Sequence, residues 1–440
     1  MAMKVTVIGL GYLGATHAVA MSKLGHTVIG IERDLAKLES LRSGRAGFFE
    51  PGLDEALVEE LATGRISFQS EHDENSAQAD IHFLCVGTPQ TEGSLAADTT
   101  YLYAAIEDLA PFLKEHSVVV GKSTVPVGTA VALTKRLSEL AGFSAELAWN
   151  PEFLKEGTAL ADSLRPDRLV IGVSTPKAEQ ALREVFEPMV ASGVPLIVTD
   201  LATAELVKAA ANAFLATKIS FINAMAEIAE VTGADATELA RAIGYDKRIG
   251  NKFLRNGVGF GGGCLPKDIR ALLARADELG VGESVAYLKE IDKINLRRRT
   301  RVINMLSEEL GNFSNKRVLV LGAAFKPDSD DVRDSPALDI AVLANQAGAE
   351  VVVHDPVSLP GVAKKHPELI TQQNLLDAFD SVDAVVLATE WKEYLRLDPA
   401  SVASRVRNRL IIDGRNVLDI KAWQSSGFKV LALGKTVKGN

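Results

Sequence analysis

Short apolar runs alternate with amphipathic segments along the first third of the chain. The runs KVTVIGL and HTVIGIE predict buried strands, and the segment LGATHAVAMSKLG between them predicts a helix. Further apolar runs lead into loops at DIHFLCVGTP, SVVVGKSTVP and SAELAWNPEF. Continuous β-branched strands separated by helices indicate a parallel, doubly wound sheet.

Residues 205–230 differ in kind, because they contain no glycine or proline and are rich in Ala, Leu and Ile. This composition predicts a helix of about 26 residues, which would span roughly 39 Å. Such a length favours a helix that bridges domains or forms an interface. Helical patterns continue as far as EIDKINLRRRTRVINMLSEEL.

A second strand–loop–helix–strand pattern begins near Lys316, and DAVVLAT and RLIIDGRNVLD add later strands. We therefore predict an α/β protein with two Rossmann-like, doubly wound parallel-sheet domains, joined by a long central helix and a helical middle domain. The predicted domains are residues 1–200, 201–305 and 306–440.

Composition narrows the classes of function. A net charge of −9 over 440 residues argues against a nucleic-acid surface. The two cysteines, Cys85 and Cys264, exclude a disulfide scaffold and fit a reducing compartment. The seven histidines have no metal-ligand spacing, and no run approaches the roughly 18 apolar residues of a membrane span. The apolar start leads into a glycine turn rather than a cleavage site. From these features together we expect a cytoplasmic protein that holds no metal.

The motif VIGLGYLG places Gly9, Gly11 and Gly14 in the G-x-G-x-x-G spacing of a dinucleotide-binding turn. The motif follows a predicted strand and opens a predicted helix, and Glu32 closes the second strand about 20 residues later. An acid at that position binds the adenosine ribose hydroxyls and repels a 2′-phosphate. The sequence therefore predicts NAD rather than NADP as cofactor.

Small polar residues stand at two further strand ends, Thr88 in CVGTP and Thr124 in KSTVPVGT. Ligands bind at the carboxyl edge of open parallel sheets, so both are candidates, although each could equally be a loop cap. Cys85 lies within an apolar strand, which predicts simple core packing.

Cys264 lies in the glycine-rich loop GFGGGCLPKD. Nearby cations such as Lys267 would favour a reactive thiolate, but a small residue filling a tight loop is an open alternative. The segment NPEFLKEG supplies Glu152 and Glu156 at a strand-to-helix junction. Lys208 and Asn212 are four residues apart on the long helix and hence on one face; here the alternative is a lysine that reaches the surface.

Nearly the whole chain resembles the UDP-glucose/GDP-mannose dehydrogenase family. The resemblance rests on motifs in family order: VIGLGYLG, EPGL, STVPVGT, NPEFLKEG, ANAFLATKISF, RIG, GFGGGCLPKD, FKPDSDDVRDSP and DGRNVLD. The NPEF segment and the PDR triplet at residues 166–168 resemble the UDP-glucose branch. GDP-mannose relatives usually differ at the triplet, and UDP-N-acetylmannosamine relatives usually replace the NPEF segment.

The resemblance implies oxidation of UDP-glucose at C6 to UDP-glucuronate, with two NAD per turnover. It implies that Cys264 forms a thiohemiacetal and then a thioester with C6. It makes Asp268, with a bound water, the base of the first oxidation and Glu152 the base that activates water for hydrolysis. Lys208 and Asn212 would stabilise the oxyanion, and Thr124 completes the implied catalytic set.

The resemblance also implies two sets of binding residues and a homodimer, since Arg248 typically reaches the site of the neighbouring subunit. The predicted NAD contacts are Gly9, Gly11, Tyr12, Leu13, Gly14, Glu32, Lys37, Thr88, Thr124, Glu156, Lys267 and Arg333. The predicted substrate contacts are Glu152, Phe153, Leu154, Lys155, Glu156, Lys208, Asn212, Arg248, Phe253, Gly259, Lys326 and Arg415.

Three departures from the family pattern flank the site: Ala209, Gly263 and Leu265 replace the usual Tyr, Ser and Phe. The C-terminal run VLGAAFKP lacks a full glycine fingerprint and is expected to hold the nucleotide of the sugar rather than a second NAD. Two alternatives stay open. One is the same chemistry on GDP-mannose or a UDP-N-acetylhexosamine, and the other is a catalytically idle NAD-binding assembly protein.

Overall fold

The computed structural model describes residues 2–435, which divide into two compact units. The first unit comprises the residues up to Ala211 together with Arg270–Gly282, and the second comprises Asn212–Ile269 and the residues from Glu283 onward. The three domains expected from the sequence stay a prediction.

The first unit contains an eight-stranded sheet in the order β3-β2-β1-β4-β5-β6-β7-β8. Its neighbouring strands run parallel except β6 and β7, which meet antiparallel at Trp149 and Gly172. The strands are β1 (Lys4–Ile8), β2 (Thr27–Ile31), β3 (Ile66–Gln69), β4 (Ile81–Leu84), β5 (Val118–Gly121), β6 (Glu146–Trp149), β7 (Leu169–Gly172) and β8 (Leu196–Thr199). The helices that begin in this unit are α1 (Tyr12–Lys23), α2 (Leu35–Arg42), α3 (Leu53–Thr63), α4 (Thr100–Leu109), α5 (Thr129–Ala141), α6 (Ala159–Leu164), α7 (Pro176–Val185), α8 (Glu187–Ala191) and α9 (Leu201–Thr232).

The second unit contains a six-stranded, all-parallel sheet in the order β11-β10-β9-β12-β13-β14. Its strands are β9 (Arg317–Leu321), β10 (Glu350–His354), β11 (Ile370–Thr371), β12 (Ala384–Leu387), β13 (Leu410–Asp413) and β14 (Lys429–Ala432). The remaining helices are α10 (Ala236–Gly244), α11 (Leu265–Glu278), α12 (Tyr287–Leu310), α13 (Pro336–Gln346), α14 (Leu359–Lys365), α15 (Lys392–Leu395), α16 (Pro399–Ala403) and α17 (Ile420–Ser425). The predicted class, with two doubly wound sheets and a helical middle region, is confirmed.

The central strands are largely apolar because helices cover both faces of each sheet. All residues of β4, β5 and β12 are buried. Packing is tight enough to specify a glycine at the end of β5, since a Cβ on Gly121 would lie 2.0 Å from the ring of Trp149. The strand order reverses beside β1 in the first sheet and beside β9 in the second, and ligands bind at such switch points.

The long apolar segment forms helix α9 over 32 residues, four residues longer at its start and two at its end than predicted. Phe214, Phe221 and Ile228, seven residues apart, lie on one face and are 66%, 46% and 54% exposed. The described part of the helix thus carries an apolar stripe, Phe214–Phe221–Ile228, on its surface. No helix within residues 2–435 is long and apolar enough to cross a membrane.

Candidate active site

The dinucleotide fingerprint forms a turn that only glycine fits at two positions. Gly9 has φ +84°, and a Cβ on Gly14 would lie 1.9 Å from the carbonyl oxygen of Gly9. Gly11 precedes the first helical residue, and a Cβ there would meet no atom within 4 Å. The first N–H groups of α1 receive no side-chain cap, so the turn suits the diphosphate of a dinucleotide.

Glu32 follows β2 and lies beside this turn. Its Oε2 accepts a hydrogen bond from Leu10 N at 2.9 Å, and its Oε1 accepts one from Asp34 N at 3.0 Å. The half-buried carboxylate retains acceptor capacity for ribose hydroxyls. The residues of the first unit therefore fit NAD. Lys37, another predicted NAD contact, is exposed in the first turn of α2.

The loops after β4 and β5 are joined to each other. Thr88 is buried, and its hydroxyl donates to the carbonyl of Thr124 at 2.7 Å, so Thr88 does act as a loop cap. Cys85 is buried in the core as predicted, and burial raises the pKa of its thiol to about 12. This thiol is therefore unreactive at neutral pH.

Lys208 has a buried partner and does not reach the surface. Its Nζ lies 2.9 Å from Glu152 Oε1, and the other carboxylate oxygen accepts from Leu154 N at 2.7 Å. Both side chains are largely buried. The pair places a carboxylate next to an ammonium group that is fixed in position, which suits proton transfer and oxyanion stabilisation.

Arg168, which has no role in the sequence analysis, packs against Phe153, the residue that follows Glu152 in the NPEF segment. The guanidinium carbon of Arg168 lies 3.6 Å from the centre of the Phe153 ring, and Lys208 Nζ lies 5.7 Å from it. Arg168 is the last residue of the PDR triplet. Lys155, a predicted substrate contact, pairs with Asp162 at 2.9 Å.

In the second unit, Asp268 is held by two partners. Asn212 Nδ2 donates to Oδ2 at 2.6 Å, and Lys267 Nζ lies 2.8 Å from Oδ1. Asn212 and Asp268 are buried, whereas Cys264, which immediately precedes α11, is exposed. The second unit thus brings together four predicted catalytic or cofactor residues, which are Asn212, Cys264, Lys267 and Asp268.

Each of five glycines around Cys264 is approached closely by another part of the second unit. The packing of the protein itself accounts for these glycines, because a Cβ at any of them would overlap protein atoms. The nearest atoms would be Gly414 O at 2.5 Å for Gly257, Asn295 Oδ1 at 2.2 Å for Gly259, Asp334 O at 2.2 Å for Gly261, the Phe325 ring at 2.8 Å for Gly262 and the Arg333 guanidinium at 2.3 Å for Gly263.

Helix α12 supports this loop through residues that sequence reasoning missed. The side-chain amide of Asn295 accepts from Phe260 N at 2.8 Å and donates to Phe260 O at 2.9 Å. Arg299 Nη2 donates to the same carbonyl at 3.0 Å, and buried Arg298 pairs with Glu230 at 2.9 Å. A signal was present, because these polar residues occupy the buried positions of the helical repeat.

Arg415, a predicted substrate contact, cross-links three backbone segments. It donates to the carbonyls of Gly259, Phe325 and Ala388 at 3.0, 3.2 and 2.6 Å. Burial lowers the pKa of its guanidinium. Lys326 Nζ lies 5.4 Å from the centre of the Phe325 ring, so both predicted anchors adjoin the glycine loop.

The remaining predicted contacts of the second unit lie in different settings. Arg333 makes a two-point ion pair with Asp331, which also accepts from Gly263 N at 3.2 Å. Phe253 has φ +62° and is 40% exposed. The side chain of Arg248 is 89% exposed and pairs only locally, with Asp246, among the contacts observed for it. Arg248 is therefore not brought to the glycine loop of its own unit.

The second sheet uses its strand-end acid differently from the first. Asp355 follows β10 as Glu32 follows β2, but its carboxylate accepts from Ala323 N, Ala324 N and Trp391 Nε1 at 2.8, 3.1 and 3.1 Å. These three donors bond Oδ2, and Val357 N and Ser358 N bond Oδ1, so both carboxylate oxygens are occupied and cannot serve a ribose in the same way. No three His, Cys, Asp or Glu side chains within residues 2–435 are grouped to hold a metal ion.

Comparison with known proteins identifies the family. Sequence models of the UDP-glucose/GDP-mannose dehydrogenase family match residues 3–190 (NAD binding domain), 202–297 (central domain) and 319–420 (UDP binding domain). The chain belongs to this family. A UDP-glucose 6-dehydrogenase of Rhizobium meliloti is 38% identical over 98% of this chain and 100% of its own length. The UDP-glucose 6-dehydrogenase YwqF of Bacillus subtilis is 36% identical, with 98% of each chain covered.

Solved structures agree with the family assignment. A UDP-glucose dehydrogenase from Pyrobaculum islandicum superposes with a TM-score of 0.91 at 36% identity, covering 99% of this chain and 98% of that one. A UDP-D-ManNAc dehydrogenase from Pyrococcus horikoshii gives a TM-score of 0.86 at 27% identity over 98% and 99% of the two chains. The match to the family's NAD binding domain covers the fingerprint and Glu32, so NAD is the cofactor.

We predict that Asn295→Asp lowers the turnover of this dehydrogenase. The substitution keeps the side-chain shape but removes the donor to Phe260 O and sets a carboxylate oxygen against that carbonyl. Loss of such a buried hydrogen bond costs about 1–3 kcal/mol, which corresponds to a roughly 10- to 100-fold fall in kcat if the cost falls on the Cys264 loop. NAD affinity, measured by calorimetry, should not change.

A matched control is Asn345→Asp on α13, where the amide donates only weakly, to Ala349 O at 3.4 Å. Equal kcat values for the two variants in NADH-formation assays would mean that the loop does not depend on Asn295.

Proposed function

We propose that this chain oxidises UDP-glucose at C6 to UDP-glucuronate through a covalent intermediate on Cys264. One observation carries the proposal: exposed Cys264 directly precedes α11, and Asp268, one turn later, is fixed by Asn212 and Lys267. A helix N-terminus favours a thiolate. The full-length relatives named UDP-glucose 6-dehydrogenase support the choice of substrate.

In the first oxidation, Asp268 takes the proton of the C6 hydroxyl through a water molecule. NAD, when bound, accepts one hydride from C6 in each of the two oxidations. Lys208 and Asn212 stabilise the negative charge that develops on the C6 oxygen. The product of this step is an aldehyde.

The thiolate of Cys264 then adds to the aldehyde carbon, and the oxygen takes up a proton to give a thiohemiacetal. Loss of the remaining C–H hydrogen as hydride, with the hydroxyl proton, leaves a thioester on Cys264. A thiolate is available only while Cys264 is reduced, so we place the reaction in the cytoplasm.

Water opens the thioester, and Glu152 takes the proton of that water. The C–S bond breaks, Cys264 leaves as thiolate, and the sugar leaves as a carboxylate. Overall, one alcohol, one water and two NAD⁺ give one carboxylate, two NADH and three protons. The 2.9 Å contact with Lys208 supports this role because it holds the carboxylate of Glu152 in a fixed position.

A second candidate is the same chemistry on another nucleotide sugar. It is favoured by the likeness to the P. horikoshii UDP-D-ManNAc dehydrogenase at 27% identity. NADH formation with UDP-glucose, GDP-mannose and UDP-N-acetylhexosamines separates the candidates. We expect two NADH per UDP-glucose and little turnover of the others. Turnover of only GDP-mannose or an N-acetylhexosamine would transfer the proposal to that sugar, and no turnover at all would favour an idle NAD-binding protein.

We predict that Cys264→Ser impairs the second oxidation or product release more than the first oxidation. A serine alkoxide is harder to form near neutral pH than a thiolate, and an ester hydrolyses more slowly than a thioester. The variant should keep its fold and NAD affinity, and a sugar adduct can accumulate on it. Intact-protein mass spectrometry after mixing with UDP-glucose and NAD detects the added mass.

Cys85→Ala is the matched control, because this buried cysteine has no proposed part in the reaction. Steady-state NADH production near the unsubstituted rate in Cys264→Ser would exclude covalent catalysis by this residue.

We also propose a homodimer in which Arg248 enters the site of the partner subunit. The apolar stripe Phe214–Phe221–Ile228 and the outward-projecting Arg248 support it. Chains carrying Cys264→Ser, mixed with chains carrying Arg248→Ala, should regain turnover, because each heterodimer contains one intact site. Random exchange predicts about one quarter of the sites active.

Neither variant alone should reach that rate. Light scattering provides an independent measurement of the assembly. A monomer during turnover, or no recovery in a mixture shown to exchange subunits, would contradict the shared site.

A further inference from the structure

Glu50 is a buried carboxylate that the proposed mechanism does not use. It lies just before α3 in the first unit and is 6% exposed. Its Oε1 accepts from Ala159 N at 2.6 Å, and its Oε2 accepts from Gly157 N at 2.6 Å and from the hydroxyl of Tyr12. All three donors are uncharged groups, so the carboxylate is held by hydrogen bonds.

Two of these donors, Gly157 N and Ala159 N, lie at the end of the 150–158 loop, which carries Glu152 and Glu156. Ala159 is the first residue of α6, and Thr158 at the helix N-cap makes no capping bond because its hydroxyl bonds to Asp162 at 3.0 Å. Glu50 therefore supplies the acceptor that this helix start needs.

The third donor belongs to the dinucleotide fingerprint. Tyr12 is the first residue of α1. Burial, and then the hydrogen bond to Glu50, raise the pKa of its phenol, so the hydroxyl stays protonated and donates. The carboxylate of Glu50 thus joins α1, which begins at the NAD turn, to the end of the 150–158 loop.

We propose that Glu50 is a positioning residue for the dehydrogenase reaction: it fixes the 150–158 loop against the fingerprint helix. The inference rests on the proposed roles of Glu152 and Glu156. Misplacement of a catalytic group by about 1 Å can cost on the order of 100-fold in rate, so a buried tether at the end of the loop affects chemistry as well as stability.

Glu50→Gln tests the proposal with little change in shape. The glutamine amide has only one acceptor oxygen, so its NH₂ group must face a backbone N–H of Gly157 or Ala159. We expect kcat with UDP-glucose to fall about 10- to 100-fold. The NAD dissociation constant should change by less than about threefold, because Glu32 and the fingerprint glycines are untouched. Amide hydrogen exchange across residues 150–160 should become about tenfold faster.

Glu60→Gln is the matched control. Glu60 is also a buried carboxylate of the first unit, and it accepts from Ser22 Oγ at 2.6 Å and Arg65 Nη2 at 2.9 Å. This variant should lose thermal stability but keep kcat within about twofold, since it contacts no part of the loop. An equal fall in kcat in both variants would reduce Glu50 to a structural residue.

Tyr12→Phe provides a milder variant if Glu50→Gln does not fold. It keeps both backbone bonds to the carboxylate, so we expect a roughly threefold to tenfold fall in kcat, and no further fall when it is added to Glu50→Gln. Unchanged exchange across residues 150–160 and normal kcat in the Glu50 or Tyr12 variant would overturn the inference.

If the unsubstituted protein oxidises no nucleotide sugar, the proposed function fails instead. The exchange measurement still decides whether Glu50 holds the loop.

Discussion

The loop that carries Cys264 depends on the reciprocal hydrogen bonds between Asn295 and both backbone groups of Phe260. Its glycines have no side chains with which to pack, so its shape must come from atoms on other elements. Asn295, Arg299 and Arg415 supply those atoms. The loop can therefore present a nucleophile on a backbone that is rigid although it is rich in glycine.

Buried charged groups in both units are likewise held by partners on other residues. Lys208 is neutralised by Glu152, and Asp268 lies between Asn212 and Lys267. Buried charges are tolerated when they are paired and hydrogen-bonded. Groups held in this way need little reorganisation when charge develops on a substrate, and this preorganisation is the main physical source of electrostatic catalysis.

The two sheets show how one architecture yields two kinds of site. Both place an acid after the second strand of the sheet. Glu32 keeps part of its carboxylate available beside an uncapped helix start, whereas both carboxylate oxygens of Asp355 accept hydrogen bonds from the protein itself. Backbone topology thus sets where a ligand binds, and the local hydrogen bonds set which ligand fits.

The sequence by itself was enough to predict two doubly wound, mainly parallel sheets, the long helix and the NAD turn. Each follows from a local pattern: apolar strands, a segment without glycine or proline, and a fixed glycine spacing. It also singled out Lys208, Asp268 and Cys264, through short motifs.

Only the tertiary structure decided what surrounds those residues. Asn295 lies 35 residues from Phe260, and Glu50 lies 107 residues from Gly157. Periodicity indicates that a position is buried, but the partner that makes a buried polar group acceptable comes from a distant segment. No local pattern specifies that partner, because it is selected when the chain packs.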